Sequence, residues 1–248
     1  RRNFIQSLGL GAASLSVGKQ MTSSVAANTD DQVLFVGDQI AVAQTEYGKV
    51  RGFILRGIFL GREQDIDWLY RPAGGASQVF PDYYQDFIKP IAHLPQLDIL
   101  QAYQLQLHHK DQAIRLEAAL AWSTWESCIA TLLPNEYTLG AEIDSQSALA
   151  LALIEHHYFM HQCFFESNQL LNNINKISHL PCNIVHGRYD MVCKAENAYS
   201  LASHWPDAQL NWVADAGHSA TEDGIATALY QASQVMAKLV DAKDVKAL

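Results

Sequence analysis

Four short apolar runs, rich in β-branched and aromatic residues, stand out along the chain. They span residues 32–36 (QVLFV), 52–56 (GFILR), 182–187 (CNIVHG) and 210–215 (LNWVAD). Runs of this length and composition predict β-strands. Strands that are buried on both faces read as continuous apolar runs, so this pattern favours a parallel sheet.

Helical patterns follow each of the last two runs. Residues 195–204 read as a helix that ends before Trp205-Pro206, because a residue that precedes proline avoids helical geometry. Residues 225–240 place their apolar side chains on a single helical face. The order strand, loop, helix, strand, loop, helix is that of an α/β fold.

About 125 residues separate the second run from the third, and their pattern is mostly helical. Residues 111–133 have apolar positions at helical spacing, and in 145–165 apolar residues surround the axis, which predicts a buried helix. An insertion of this size after a strand predicts a helical cap. We therefore assign 28–60 and 179–248 to a sheet-forming core and 61–178 to the cap.

Two candidate catalytic side chains follow the last two strands. Asp190 comes directly after the third run and His218 after the fourth, with one helix and one strand between them. Two such loops are where an acid and a histidine of a Ser–Asp–His triad are found. Polar loops and Gly-His pairs are also common without catalysis, but the spacing favours the triad interpretation.

Acidic residues dominate the middle of the predicted cap. Between Arg115 and Lys176 there is no Lys or Arg, while Glu126 and Glu155 interrupt apolar helical stretches. Burying an unpaired carboxylate is costly, so a cation from outside, such as a substrate ammonium group, is a natural partner. Alternatively, both glutamates lie in solvent at helix edges, or Arg56 or Arg188 reaches them.

Composition excludes several classes of function. The net charge of −9 argues against nucleic acid and anionic membrane surfaces as partners, and no apolar run approaches the ~18 residues of a membrane span.

The four cysteines lack metal-type spacing, so they are interpreted as free thiols or core residues, with a disulfide left open. Cys193, beside the acid loop, is a candidate reactive thiol. His157 and His161 are one turn apart, but a packed helix is the better interpretation than a zinc site. We predict no metal and no cofactor.

The amino terminus resembles an export signal. It has a twin arginine, Arg1-Arg2, then a weakly apolar stretch and small residues at Ser24–Ala26. These features are typical of the twin-arginine route, so we exclude residues 1–27 from the fold and expect a periplasmic protein. A poorly ordered terminal helix is the alternative, and the protein would then be cytoplasmic.

Several longer segments resemble the prolyl aminopeptidases (proline iminopeptidases), which are α/β-hydrolases with a helical cap. The segments include LRGIFLGREQDIDWLY (55–70), VFPDYYQDFIKPI (79–91), AWSTWES (121–127), IEHHYF (154–159) and HGRYDMVC (186–193). The resemblance implies that Asp190 and His218 are the triad acid and base and that Glu126 and Glu155 bind the amine of a peptide with N-terminal proline. It implies release of that proline without a cofactor.

The resemblance covers residues 49–240 and fails upstream of them. No Gly-x-Ser-x-Gly elbow is present in the sequence, and the segment 32–50 looks like an elbow strand and helix with residues deleted, so that Asp38 takes the place of the serine. An aspartate nucleophile is conceivable, but a degenerate loop is the preferred interpretation.

These features predict a partial α/β-hydrolase sheet whose exposed edge invites self-association. Three functions stay open. The chain is a truncated copy with little activity, or a binder of peptide N-termini that uses Glu126, Glu155, Trp122, Tyr158 and Phe159, or a non-functional gene product.

Overall fold

The apolar runs form one parallel sheet in a computed structural model of the chain, which describes residues 34–36, 50–133 and 144–245. The strands stand side by side in sequence order: β1 (Leu34–Val36), β2 (Phe53–Arg56), β3 (Cys182–Gly187) and β4 (Ala208–Val213). Ile54 aligns with Asn183, and Val185 aligns with Asn211. The predicted α/β class and the parallel sheet are therefore confirmed. The last strand lies two residues earlier than its apolar run.

The described helices lie mostly in the insertion between β2 and β3. They are α1 (Glu63–Tyr70), α2 (Gly75–Val79), α3 (Pro81–Ile88), α4 (Ile99–Leu107), α5 (Gln112–Ile129), α6 (Ser145–Met160), α7 (Gln169–Asn172), α8 (Ala195–His204) and α9 (Asp223–Val245). Aspartates cap α4, α5 and α6, where their carboxylates accept backbone N–H groups that a helix start leaves without partners. None of the helices that the structure describes is both long and apolar enough to cross a membrane.

The sheet has helices on both faces because successive strand residues point to opposite sides. On one face Leu55 and Ile184 pack in a cluster with Leu201 of α8 and with Trp205. On the other face the neighbouring positions Ile54 and Val185 pack with Ile225, Leu229 and Met236 of α9. The apolar stripe predicted for residues 225–240 therefore covers this side of the sheet through Ile225, Leu229, Ala232 and Met236, whereas Val235 and Leu239 are exposed.

The chain folds into two compact units. The core unit holds residues up to Leu60 and from Gln169 onward, and the helical unit is Gly61–Asn168. The sequence placed the return to the core at residue 179, ten residues later. Leu171 and Ile174 explain the difference, because both side chains are buried in the cluster beside Leu55 and Trp205. The suggested export segment 1–27 lies outside the described residues.

An aromatic cluster forms the centre of the helical unit. Trp122 stacks on Tyr70 at 4.5 Å between ring centroids and meets Phe87 and Tyr103 edge-on at 5.9 and 5.1 Å. The polar ends of buried rings find carbonyl partners: Tyr103 Oη donates to the carbonyl of Phe87 at 2.5 Å, and Trp125 Nε1 donates to that of Leu69 at 3.2 Å. Buried aromatic residues with satisfied polar ends give a core with a defined geometry.

The expectation that residues 145–165 form a helix buried all round is wrong. Only one stripe of α6 is buried, and it consists of Ala148, Ala152, His156 and Phe159. On other faces Ile154 and Tyr158 keep 43% and 45% of their surface exposed. The helix also ends at Met160, because the three residues from Gln162 to Phe164 take left-handed φ values of 50–56°. Such values cost non-glycine residues about 1–2 kcal/mol each and stop a right-handed helix.

Candidate active site

The loops after β3 and β4 are joined by backbone hydrogen bonds. The Arg188 N–H donates to the Val213 carbonyl at 2.8 Å, and the Tyr189 N–H donates to the Ala216 carbonyl at 3.0 Å. Gly187 is required at the start of the first loop, because a side chain there would overlap the carbonyl oxygen of Gly217. A parallel sheet brings neighbouring strand ends to one edge, and these bonds hold the two loops in register.

Asp190 and His218 meet at this edge of the sheet. The Asp190 Oδ2 atom lies 2.9 Å from His218 Nδ1, and both side chains are buried. The other carboxylate oxygen accepts the backbone N–H groups of Val192 at 3.0 Å and Cys193 at 2.7 Å. The loop thus holds the carboxylate from behind and aims one oxygen at the imidazole.

Electrostatics keep this carboxylate ionised. Burial by itself raises the pKa of Asp190, but His218, His186 and the Cys193 N–H together outweigh burial and lower it. An ionised Asp190 accepts the proton on Nδ1 of His218, which leaves Nε2 of a neutral ring as the basic nitrogen. The pair therefore has the protonation pattern of a general base with its orienting acid.

Two further residues support the pair, and sequence reasoning missed both. His186 in β3 is fully buried and lies 3.6 Å from Asp190 Oδ2; its Nε2 lies 2.9 Å from the Cys193 carbonyl, and its Nδ1 accepts the Ile58 N–H at 3.3 Å. Arg56, at the end of β2, donates through Nη1 to the His218 carbonyl. A histidine inside a mostly apolar strand was the available signal, because a buried polar ring needs partners.

We expect stability to fall as the pH drops below about 6.5, the ordinary pKa of histidine. Burial lowers the pKa of His186 in the folded protein, although Asp190 opposes that shift. Between the pKa of His186 in the folded protein and about 6.5, the unfolded chain therefore binds a proton that the folded chain does not. In this interval the free energy of unfolding decreases as the pH falls. Above the interval the full free energy of unfolding is retained. The same sign holds for His156, whose pKa burial also lowers.

Denaturant titrations between about pH 7.5 and pH 5 measure this slope. The variant His186→Gln is expected to have a shallower slope than the native chain. The exposed His204 is a matched control, and His204→Gln is expected to keep the native slope. If His186→Gln has the same slope of unfolding free energy against pH as the native chain, the His186 ring is not held in a neutral, buried state in the folded protein.

The candidate amine-binding residues lie in the helical unit. Glu155 of α6 is half-buried, and its Oε2 accepts the Trp122 Nε1–H at 2.9 Å. Glu126, also half-buried, lies one turn after Trp122 on α5. Hydrogen bonding to a rigid, buried indole fixes the direction of the Glu155 carboxylate.

The three aromatic residues suggested as ligand contacts have different environments. Trp122 has no exposed surface and Phe159 is buried near it, so the structure places both in the core rather than at a surface. Tyr158 is exposed and packs edge-on against Phe164 at 5.7 Å. The polar end of Trp122 is bonded to Glu155. The suggested nucleophile position, Asp38, lies outside the described residues.

Two other sequence predictions concern the cysteines and a pair of histidines. All four cysteines are free, which leaves no disulfide. His157 and His161 are exposed, with ring centroids 4.7 Å apart, and both rings lie against Phe164, at 5.4 and 5.0 Å between centroids. A groove of about 270 Å³ between α3 and α5 is lined by Asp86 and Glu117 among others, and neither suggested glutamate lines it.

Comparison with known proteins gives a consistent set of relatives. No family model matches the chain. A proline iminopeptidase of Arabidopsis thaliana is 41% identical over 203 residues, which are 81% of this chain and 53% of the relative. A probable proline iminopeptidase of Leptolyngbya boryana is 42% identical over 78% of this chain and 60% of its own length, and a proline iminopeptidase of Neisseria gonorrhoeae is 40% identical over 78% and 61%. The chain thus spans between half and two thirds of the length of these relatives.

Proposed function

Because the chain belongs by sequence to the family of the proline iminopeptidases, which are α/β-hydrolases, we propose that it carries the acid–base pair and the amine-binding cap of a prolyl aminopeptidase. Asp190 and His218 are the proton-transfer pair, and Glu126 and Glu155 bind the amine of an N-terminal proline. The observation that carries the proposal is the buried 2.9 Å contact between Asp190 Oδ2 and His218 Nδ1.

In this proposal His218 moves the proton of the reaction. Its Nε2 takes a proton from the attacking group and returns it to the leaving amine, while Asp190 stabilises the imidazolium in between. The sequence has no Gly-x-Ser-x-Gly elbow, and loss of the serine in a serine protease lowers turnover by about 10⁶-fold. We therefore propose that the 248 residues alone cleave slowly or not at all and that they retain recognition of the peptide N-terminus.

Amine recognition is supported by charge and by orientation. Residues 116–175 contain seven acidic residues and no Lys or Arg, so this stretch favours a cation. Trp122 fixes one oxygen of Glu155, which orients the carboxylate before a ligand binds. A charge-assisted hydrogen bond to an ammonium group stabilises a complex by about 1.5–3 kcal/mol.

Two measurements on the full chain test cleavage and binding separately. Release of a chromophore from a proline amide reports cleavage, and we expect a rate close to that of buffer. Calorimetry with a peptide that begins with proline reports binding, and we expect heat that the N-acetylated peptide does not produce. A chain that neither releases proline nor binds the peptide would contradict both functions. That result would favour the non-functional gene product.

Charge variants locate the amine site. We expect Glu155→Gln to weaken the peptide about tenfold or more, which corresponds to about 1.4 kcal/mol. The exposed Glu117 on α5 is the matched control, and Glu117→Gln is expected to bind as the native chain does. Weakening by Glu117→Gln alone would move the site to the groove that this residue lines and would contradict the role of Glu155.

Assembly and location follow as proposals from the same features. Among the residues described, β1 pairs only with β2, so its outer edge is a candidate surface for self-association. Export to the periplasm rests on the Arg1-Arg2 segment alone and stays a prediction.

A further inference from the structure

A third ligand-type side chain lies beside the acid–histidine pair. Asp190, Cys193 and His218 each offer one ligand atom, and these atoms all lie within 4.8 Å of one another. All three side chains are buried, with relative exposures of 3%, 2% and 6%. A carboxylate, a thiol and an imidazole gathered in this way form a donor set of mixed chemistry rather than a cluster of acids.

The donor types select a class of ion. Thiolate and imidazole ligands favour zinc and similar thiophilic cations over magnesium or calcium, which prefer oxygen. Bonds of about 2.0–2.3 Å place donors in a tetrahedral zinc site roughly 3.3–3.8 Å apart. The upper limit of 4.8 Å therefore requires a contraction of about 1.0–1.5 Å, and the 2.9 Å pair of Asp190 Oδ2 and His218 Nδ1 opens by about 0.4 Å. We propose that Asp190, Cys193 and His218 bind a thiophilic divalent cation, with zinc as the type, and leave the fourth position to solvent.

The surrounding hydrogen bonds hold the donors in place. Asp190 Oδ1 is anchored by the Val192 and Cys193 N–H groups, so Oδ2, which faces His218 Nδ1 at 2.9 Å, is the oxygen that would bind the metal. The His186 Nε2 atom lies 2.9 Å from the Cys193 carbonyl and 3.6 Å from Asp190 Oδ2, so one buried ring lies against the backbone of one donor residue and the carboxylate of another. Partners of this kind orient metal ligands and strengthen binding.

Metal binding would use the same atoms as proton transfer, so the two would compete. This competition rests on the proposed function, in which Asp190 and His218 transfer a proton. Coordination forms bonds from the metal to Cys193 Sγ, to one ring nitrogen of His218 and to one oxygen of Asp190. The thiol proton passes to solvent; if the metal takes Nδ1, the ring proton moves to Nε2. Either way the basic nitrogen or its orienting carboxylate is removed, so the cation would switch off any proton transfer by this pair.

Cobalt titration of the full chain tests the site without any substrate. Co²⁺ replaces zinc and gives a thiolate-to-metal charge-transfer band in the near ultraviolet when sulfur is a ligand. We expect one equivalent of Co²⁺ to produce this band and zinc to remove it by displacement. Because no substrate is present, failure of the proposed hydrolase function would not affect this result.

Cysteine variants identify the ligand. Cys193→Ala and the closer-sized Cys193→Ser are expected to lose the band and to weaken cobalt about 10–100-fold or more, with far-ultraviolet circular dichroism reporting the fold. The buried Cys182 and the half-exposed Cys128 are matched controls, and their alanine variants are expected to keep the band. Absence of the band from the native chain, or its persistence in a folded Cys193 variant, would overturn the proposal.

Discussion

Replacing Asp190 with alanine is expected to lower the free energy of unfolding by about 3–5 kcal/mol. Three buried donors lose their acceptor: the Val192 and Cys193 N–H groups and Nδ1–H of His218. Each buried donor without a partner costs about 1–3 kcal/mol, and water that enters the vacated space recovers part of the total. Urea unfolding of the two chains under identical conditions measures the difference.

Asparagine at the same position separates hydrogen bonding from charge. Its amide oxygen still accepts the two backbone N–H groups, so Asp190→Asn is expected to cost only about 1–2 kcal/mol. The carboxylate pKa is lowered in the folded protein, so its stabilisation is present above about pH 4 and is lost as the pH falls through the folded value. Asp190→Asn is expected to lack this acid-range loss. An Asp190→Ala chain as stable as the native one would show that the carboxylate is solvated rather than buried in this network.

Replacing Trp122 with alanine is expected to destabilise the helical unit by about 3–5 kcal/mol, the range for large aromatic residues in a core. The indole has no exposed surface, and it packs against Tyr70, Phe87, Tyr103 and Phe159, so its removal opens a cavity at the centre of the aromatic cluster. Denaturant unfolding followed by near-ultraviolet circular dichroism reports the loss, because the signal comes from these packed rings.

Phenylalanine at position 122 is the matched control. Trp122→Phe keeps an aromatic ring in the cluster but removes the N–H that donates to Glu155, so we expect a smaller loss of about 1.5–3 kcal/mol. In the calorimetric assay it should also weaken the proline peptide, because the Glu155 carboxylate is no longer oriented. Equal stability losses for the alanine and phenylalanine variants would contradict a packing role for the ring.

Much of the fold could be predicted from local pattern. Strand β3 and helix α8 begin and end where the sequence placed them, at 182–187 and 195–204, because a continuous apolar run and a proline-bounded helix leave little choice. The end and burial of α6 could not be predicted. A left-handed run at Gln162–Phe164 ends that helix, and which of its apolar faces is covered depends on neighbours remote in sequence.

The candidate site divides in the same way. The positions of Asp190 and His218 after strands could be read from the sequence, because parallel strands bring their ends to one edge. The role of His186 could not, since a histidine within an apolar run says nothing about which carbonyl and carboxylate it will meet. The sequence suggested Trp122 as a ligand contact but did not show its burial, which depends on rings contributed by four other segments.

By itself the sequence determined the class of fold, the parallel direction of its strands and the two loops that carry an acid and a histidine, because periodicity and strand ends are local properties. Only the tertiary structure decided the 2.9 Å pairing of those side chains, the support from His186 and the approach of Cys193. The physical reason is that hydrogen bonds and ligand distances depend on how separate segments pack, and packing is set by contacts between residues far apart in the chain.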